Sequence, residues 1–285
     1  MNPAIVGHAH RWALISLLGF GVSCGANKRD RASRVARIIE NGDAVYEQRT
    51  GVDDINKAIE WYESGVAEFP NSPRPLGRLA RAYVARAYSF PEFKQDDYAT
   101  AREHGLRCLM LEDAFGGLVT AAGGSVTTRA VQTLDSSRIG CMTWTSIAWS
   151  RWLDDRGVVG ASIDLEATEA LARQAVELSP TYAGGLPYAA LGLALALPPK
   201  PLEPDLAGAR TAFAKAAQMA PNRLSSVVDL AQYVSAPEGK EAEWNALLRR
   251  VVDADLIGPF AVENKAAIQR AEALLSAGLD TRWSD

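Results

Sequence analysis

One spacing recurs four times along the chain and leaves little room for anything but stacked helices. A small residue is followed by three others, an aromatic or small residue, two others, a small residue, four more, and a proline. It reads Ala58, Tyr62, Gly65, Pro70, and again Ala209, Phe213, Ala216, Pro221. Thr168, Ala172, Ala175, Pro180 make a third copy, and Ala101, Gly105, Cys108 a fourth with Asp113 in the proline's place. Positions three and four apart share one face of an α-helix. Small residues along that face let a second helix approach closely, and proline ends the element. From residue 30 onward period-2 alternation is almost absent, so the spacing predicts an all-α chain.

The pattern matches the second half of the tetratricopeptide signature, and the first half is interleaved with it in the right order. Leu76, Leu79, Ala80 and Tyr83 follow the first proline; Trp144, Ile147 and Ala148 precede the third copy. Tyr188, Leu191, Gly192 and Leu195 precede the copy that ends at Pro221, and Val227, Leu230 and Ala231 open a further helix. The copies end at 70, 113, 180 and 221, so the spacings are 43, 67 and 41, where about 34 is standard. The excess falls in three insertions. One holds Pro91 and Phe93; one is the proline-rich stretch 197–204, a loop; the third is 116–137, a Gly- and Ser-rich connection with one short helix. A connection that long is often functional. The fold class expected is a degenerate tetratricopeptide-like helical-hairpin solenoid with long inter-helix linkers.

Charge and histidine content remove several function classes. Thirty Lys and Arg stand against 34 Asp and Glu, a net charge of −4 with no basic surplus for a nucleic-acid partner. Hydrophobic residues make up 48%, enough for a real core. Only three histidines are present, and His8 and His10 lie in a segment expected to be cleaved. His104 alone supports neither a His-based metal site nor a Ser-His or Cys-His mechanism. No cofactor and no enzyme activity are expected.

Residues 1–23 read as a signal peptide: Arg11, then the apolar run Trp12–Ser23, then Cys24. The run is shorter than the ~20 residues a membrane-spanning helix needs. Gly21-Val22-Ser23-Cys24 resembles a bacterial lipobox, with Gly21 where the pattern prefers Leu, Val or Ile. Cys24 is therefore the expected lipidation site, residues 24–30 the tether and 31–285 the folded domain. Gly25 after the Cys, where Asp is absent, resembles the outer-membrane sorting rule of Gram-negative lipoproteins. Of the two remaining cysteines, Cys108 occupies a small-residue packing position and reads as a buried residue; a Cys108–Cys141 disulfide is arithmetically open.

With these features in place the chain resembles the TRAP-transporter-associated tetratricopeptide lipoproteins, TatT. The resemblance rests on Cys24 and its signal, and on long linkers within degenerate repeats. It rests also on Leu178-Ser179-Pro180-Thr181-Tyr182-Ala183-Gly184-Gly185, on Leu197-Pro198-Pro199, and on the helix from Glu263-Asn264-Lys265 to Leu274-Leu275. Glu203-Pro204-Asp205 stands where the family has Gly-Gly-Asp. The resemblance implies a periplasmic, membrane-tethered protein forming a homotrimer around a pore-like channel. Its implied partner is the periplasmic solute-binding protein of a TRAP transporter, whose ligands are small organic acids or hydrophobic carboxylates. A general lipoprotein scaffold for envelope assembly is the competing function.

In such an array the first helix of each pair lines the concave face. The signature register places Arg74, Gly77, Arg81, Val84 and Ala85 there from one pair, and Met142, Thr145, Trp149, Trp152 and Leu153 from the next. Leu186, Ala189, Leu193, Ala196 and Leu197 follow, then Ser225, Val228, Gln232, Ser235 and Ala236. Arg81, Trp149, Trp152, Leu193 and Gln232 are the candidate ligand-lining residues. An apolar groove with an aromatic anchor and one guanidinium suits an amphipathic acid; packing of the two tryptophans between helices, and an ion pair at Arg81, are the competing readings. The face lacks the Lys and Asn of arrays that grip peptide C-termini. Asp53-Asp54, Asp96-Asp97 and Asp154-Asp155 read as caps or solvated turns, and His104 as a solvated residue on an exposed helix face.

Overall fold

The computed structural model describes residues 21–156, 162–197, 203–256 and 258–279, and for 21–29, 156, 162 and 163 the backbone only. The expected signal peptide and the double proline at 198–199 therefore lie wholly or largely outside the described residues, as does the Cys24 side chain. Helices follow one another in pairs: α1 (Gly21–Glu47) with α2 (Val52–Glu68), α3 (Pro73–Ser89) with α4 (Lys94–Met110), α7 (Ile139–Arg156) with α8 (Ser162–Leu178), and α9 (Leu186–Ala196) with α10 (Leu206–Met219). The fifth pair is α11 (Ser225–Leu230), continued by a π-turn over 231–235, with α12 (Glu241–Val252). No strand occurs among the described residues, and none of their helices is long and apolar enough to cross a membrane.

Local chemistry explains the boundaries. Pro73 sits in the first turn of α3, where its missing N–H costs nothing. The Asp54 carboxylate accepts hydrogen bonds from the Thr50 N–H and hydroxyl, each 2.9 Å, and secures the start of α2. Asp205 does the same for α10, accepting from Gly208 N–H at 2.8 Å. At the far ends Pro70, Pro180 and Pro221 lie just beyond α2, α8 and α10.

The seam of each pair is built from the repeated positions, all twelve of which are buried. Their volumes are complementary across the seam. A Cβ on Gly42 would lie 2.4 Å from the Tyr62 ring, and one on Gly192 would lie 2.6 Å from the Phe213 ring. Where the second helix presents an aromatic ring, the first presents a bare backbone. Where the second helix presents Ala172 and no ring, serine serves the seam, Ser146 donating to the Thr168 carbonyl at 2.8 Å.

Two expectations change here. The segment 116–137 is folded rather than an open connection: α5 (Asp113–Ala121), a turn through Gly123 and Gly124, and α6 (Thr128–Val131). Phe115, Val119, Val126, Ala130, Val131 and Leu134 are buried against the α4, α7 and α8 side of the molecule. The segment is an outer layer of core. Secondly, Cys108 is buried as expected but is bonded to Cys141, joining α4 to α7 across 33 residues of chain; both positions are small because they face each other across that seam.

The last helix, α13 (Ala261–Ala277), leaves the repeat pattern. It packs on α12 and α11 and then reaches α3, so it touches the second pair and narrows the inner groove into a partly open cavity.

Candidate functional site

The space between the inner helices and α13 is a cavity of about 510 Å3. Val84 and Ala85 of α3, Trp144 and Ile147 of α7, and Leu186, Ala189 and Leu193 of α9 give it an apolar wall. The size and lining fit a small organic molecule. Most of the charged groups of its lining belong to two networks.

One network holds the end of α1. Asp43 accepts hydrogen bonds from Arg78 Nε (2.8 Å), Arg81 Nη2 (2.7 Å) and the Tyr62 hydroxyl (2.8 Å). Burial alone would raise the Asp43 pKa, but the Arg78 and Tyr62 hydrogen bonds hold it below the ordinary carboxylate value. The Arg81 guanidinium lies 3.9 Å from the centre of the Tyr46 ring and 3.1 Å from Glu47. Burial opposes its charge, yet Tyr46, Tyr62 and Asp43 raise its pKa above that of free arginine. Burial pushes the Tyr46 hydroxyl up to about 12. Arg49 closes the network onto α13, donating to Glu263 at 2.6 and 3.1 Å and to the Pro259 carbonyl at 3.1 Å.

The other network lies deeper. Arg151 of α7 donates to both oxygens of Asp229 at 2.7 Å and to the Tyr233 hydroxyl at 3.0 Å. The Arg151 and Asp229 side chains are 6% and 4% exposed, so the pair is nearly dry. Burial disfavours the Arg151 cation, but Asp229 and Tyr233 keep it firmly protonated. Arg270 of α13 adds bonds to Asp229 (3.1 Å), Tyr233 (3.1 Å) and Gln232 (2.9 Å), and Asp154 accepts from Tyr233 at 2.6 Å. This knot joins α7, the π-turn and α13.

Of the sequence candidates, Arg81 and Leu193 line the cavity, with Arg81 also in the ion pairs weighed as its alternative. Trp149 and Trp152 lie on the other side of α7, where the Arg102 guanidinium of α4 stacks over both rings at 4.6 and 4.5 Å. Trp149 is 4% exposed within the outer core. The register through α7 is two residues later than Ala148 suggests, since Ser146 donates to the Thr168 carbonyl of α8 at 2.8 Å and the buried Ser150 lies one turn further along that face. Two residues turn a helix through about 200°, so Trp144, Ile147 and Arg151 face inward instead. Gln232 accepts from Arg270 and does not reach the cavity wall.

Three other expectations are overturned by pairing. Asp97 is 4% exposed and takes Arg86 in a two-pronged pair at 2.7 and 2.8 Å. Asp154 serves the deep network, and Asp155 takes Lys94 at 2.7 Å. His104 is half-buried, stacked on the Tyr83 ring with centroids 5.7 Å apart. Arg49, Arg151, Arg223, Asp229 and Glu263 were not among the candidates. A charged residue inside an otherwise apolar inner-row helix, as in Trp144–Leu153 and Val227–Val234, is the signal that marks Arg151 and Asp229.

Helix pairs wound about an inner cavity make this a tetratricopeptide-like solenoid. The structure resembles that of a thermophilic TPR protein of Thermus thermophilus, with a TM-score of 0.52 and 17% identity over 84% of this chain and 100% of that one. No curated protein sequence matches the chain. The family model of the TRAP transporter T-component matches residues 58–280, and the chain belongs to that family. It is a component of a TRAP system.

Proposed function

We propose that the chain is the periplasmic, lipid-anchored docking component of its TRAP system, and that its cavity receives a small hydrophobic or carboxylate ligand exchanged with the solute-binding protein. The observation that carries this reading is the cavity itself: about 510 Å3 with an apolar wall and charged groups in its lining. A protein that only docks has no need of such a space. Export is supported by the Cys108–Cys141 disulfide, since such bonds persist in oxidising compartments and are rare in the cytosol. The lipobox-like Gly21-Val22-Ser23-Cys24 supports anchoring at Cys24, Gly25 after it supports an outer-membrane site, and the resemblance to TatT supports a homotrimer.

The deciding experiment is affinity capture from detergent-solubilised envelope with full-length tagged protein. Recovery of a TRAP solute-binding protein is expected; recovery of envelope-assembly machinery alone would favour the general scaffold instead. Cys24→Ala should move the protein from the membrane fraction to the soluble periplasm, and continued membrane attachment would remove the lipoprotein assignment.

A further inference from the structure

Four guanidiniums reach the cavity wall, from Arg49, Arg81, Arg151 and Arg223, against three carboxylates, from Glu47, Glu263 and Asp229. Arg49 is paired with Glu263, Arg81 with Asp43 and Glu47, and Arg151 with Asp229. Arg223 has no carboxylate within salt-bridge distance among the described residues. It donates instead to the carbonyl oxygens of Ala183 at 2.8 Å and Gly184 at 3.4 Å, and lies 4.4 Å from the centre of the Phe260 ring. Carbonyl oxygens orient a guanidinium without cancelling its charge, and these two bonds leave three of its five N–H groups unused. Burial pulls the Arg223 pKa down, in contrast to its three neighbours; Glu263 opposes that, but its carboxylate is bonded to Arg49.

The backbone that holds Arg223 is itself unusual. Ala183 has φ 45°, and it is the one non-glycine residue with positive φ among the described residues; Gly184 and Gly185 follow at 67° and 78°. Three left-handed residues in succession are maintained only where the surroundings over-determine them. Here they present two adjacent carbonyls to one guanidinium, which fixes that group at the cavity wall.

We propose that Arg223 is the anion-pairing residue of the cavity, and that the ligand is an amphipathic monoanion. Its carboxylate meets Arg223, and its apolar body runs along Ile147, Leu186, Ala189 and Leu193. The charge balance sets the limit at one: a second negative group would face Asp229 or Glu263, and a cation would face Arg223 unshielded. This rests on the reading that the cavity holds a ligand.

The test is titration calorimetry of the purified full-length chain with three ten-carbon probes that differ in the head group: decanoate, decan-1-ol and decylammonium. Decanoate should bind at least ~10-fold more tightly than the alcohol, the scale of a charge-assisted hydrogen bond, and decylammonium most weakly. Arg223→Gln should abolish that preference and leave alcohol binding within about two-fold of wild type, which also reports an intact cavity. Arg223→Lys should retain part of it. Equal binding of acid and alcohol in wild type overturns the inference and leaves the cavity reading standing. Equal loss of both probes in Arg223→Gln makes Arg223 a clamp on the loop and overturns it as well. No binding of any probe to wild type overturns the cavity reading, and the inference with it.

Discussion

The two sides of helix α7 use similar residues to opposite ends. Toward α4 and α8 it presents Cys141, Met142, Trp149 and Leu153, all buried in a core closed by the disulfide and by α5 and α6. Toward the inside it presents Trp144, Ile147 and Arg151, and there the space stays open. What separates the two sides is closure. The outer side is filled by neighbouring helices one layer deep. The inner side borders the cavity, and there Arg151 reaches Asp229 in an ion pair. A solenoid that curves round to let α13 touch α3 bounds a volume its repeats do not themselves specify.

That contrast can be broken from either side, and the inner side should give way most. Asp229→Ala leaves Arg151 and Arg270 facing each other without their shared carboxylate. Removing one partner of a buried pair costs about 3–5 kcal/mol, and a denaturant unfolding curve should show that loss. A change below 1 kcal/mol, about the worth of an exposed pair, would mean the knot is solvated. On the outer side, replacing Cys108 and Cys141 together by alanine frees a 33-residue loop in the unfolded state. The expected loss is about 2–4 kcal/mol, read from the same curve, with the cavity's ligand affinity unchanged.

Gly192→Ala probes the seam itself, where a new Cβ would stand 2.6 Å from the buried Phe213 ring. Overpacking should cost about 1–3 kcal/mol and lower the melting temperature; an unchanged melting temperature would show that α9 and α10 can separate freely. The smallest effect is expected at His104. Burial, with Arg107 adding, holds its pKa below the ordinary 6.5. Protonation therefore favours the unfolded chain. The contribution is complete above about pH 6.5 and is lost as pH falls through the depressed folded value. Unfolding free energies measured between pH 7.5 and pH 5 should decline less steeply in His104→Gln. Identical slopes would place the imidazole in solvent.

The seam was legible in the sequence because each repeated position serves a contact between adjacent helices of one pair, a local matter of spacing and side-chain volume. Ala58, Tyr62 and Gly65, or Ala209, Phe213 and Ala216, need only their own neighbours to be recognised. The inward faces of α3 and α9 followed from the same register, which is how Arg81 and Leu193 came to be named. The register failed in α7, where Ala148 and Ser150 are both small enough for the seam, and the choice between them turns the helix by more than half a turn. Spacing alone cannot rank them, and the Ala148 register turns Trp149 and Trp152 inward where the structure has them against Arg102 of α4.

Sequence by itself determined the class of protein: an all-α array of small-residue seams, poor in histidine. Only the tertiary structure decided which charges meet. Arg151 and Asp229 lie 78 residues apart, and Arg49 and Glu263 lie 214 apart. Such pairings depend on how far the superhelix has curved by its last element, a sum of small rotations that no single repeat encodes. The same curvature left Arg223 on the wall without a carboxylate.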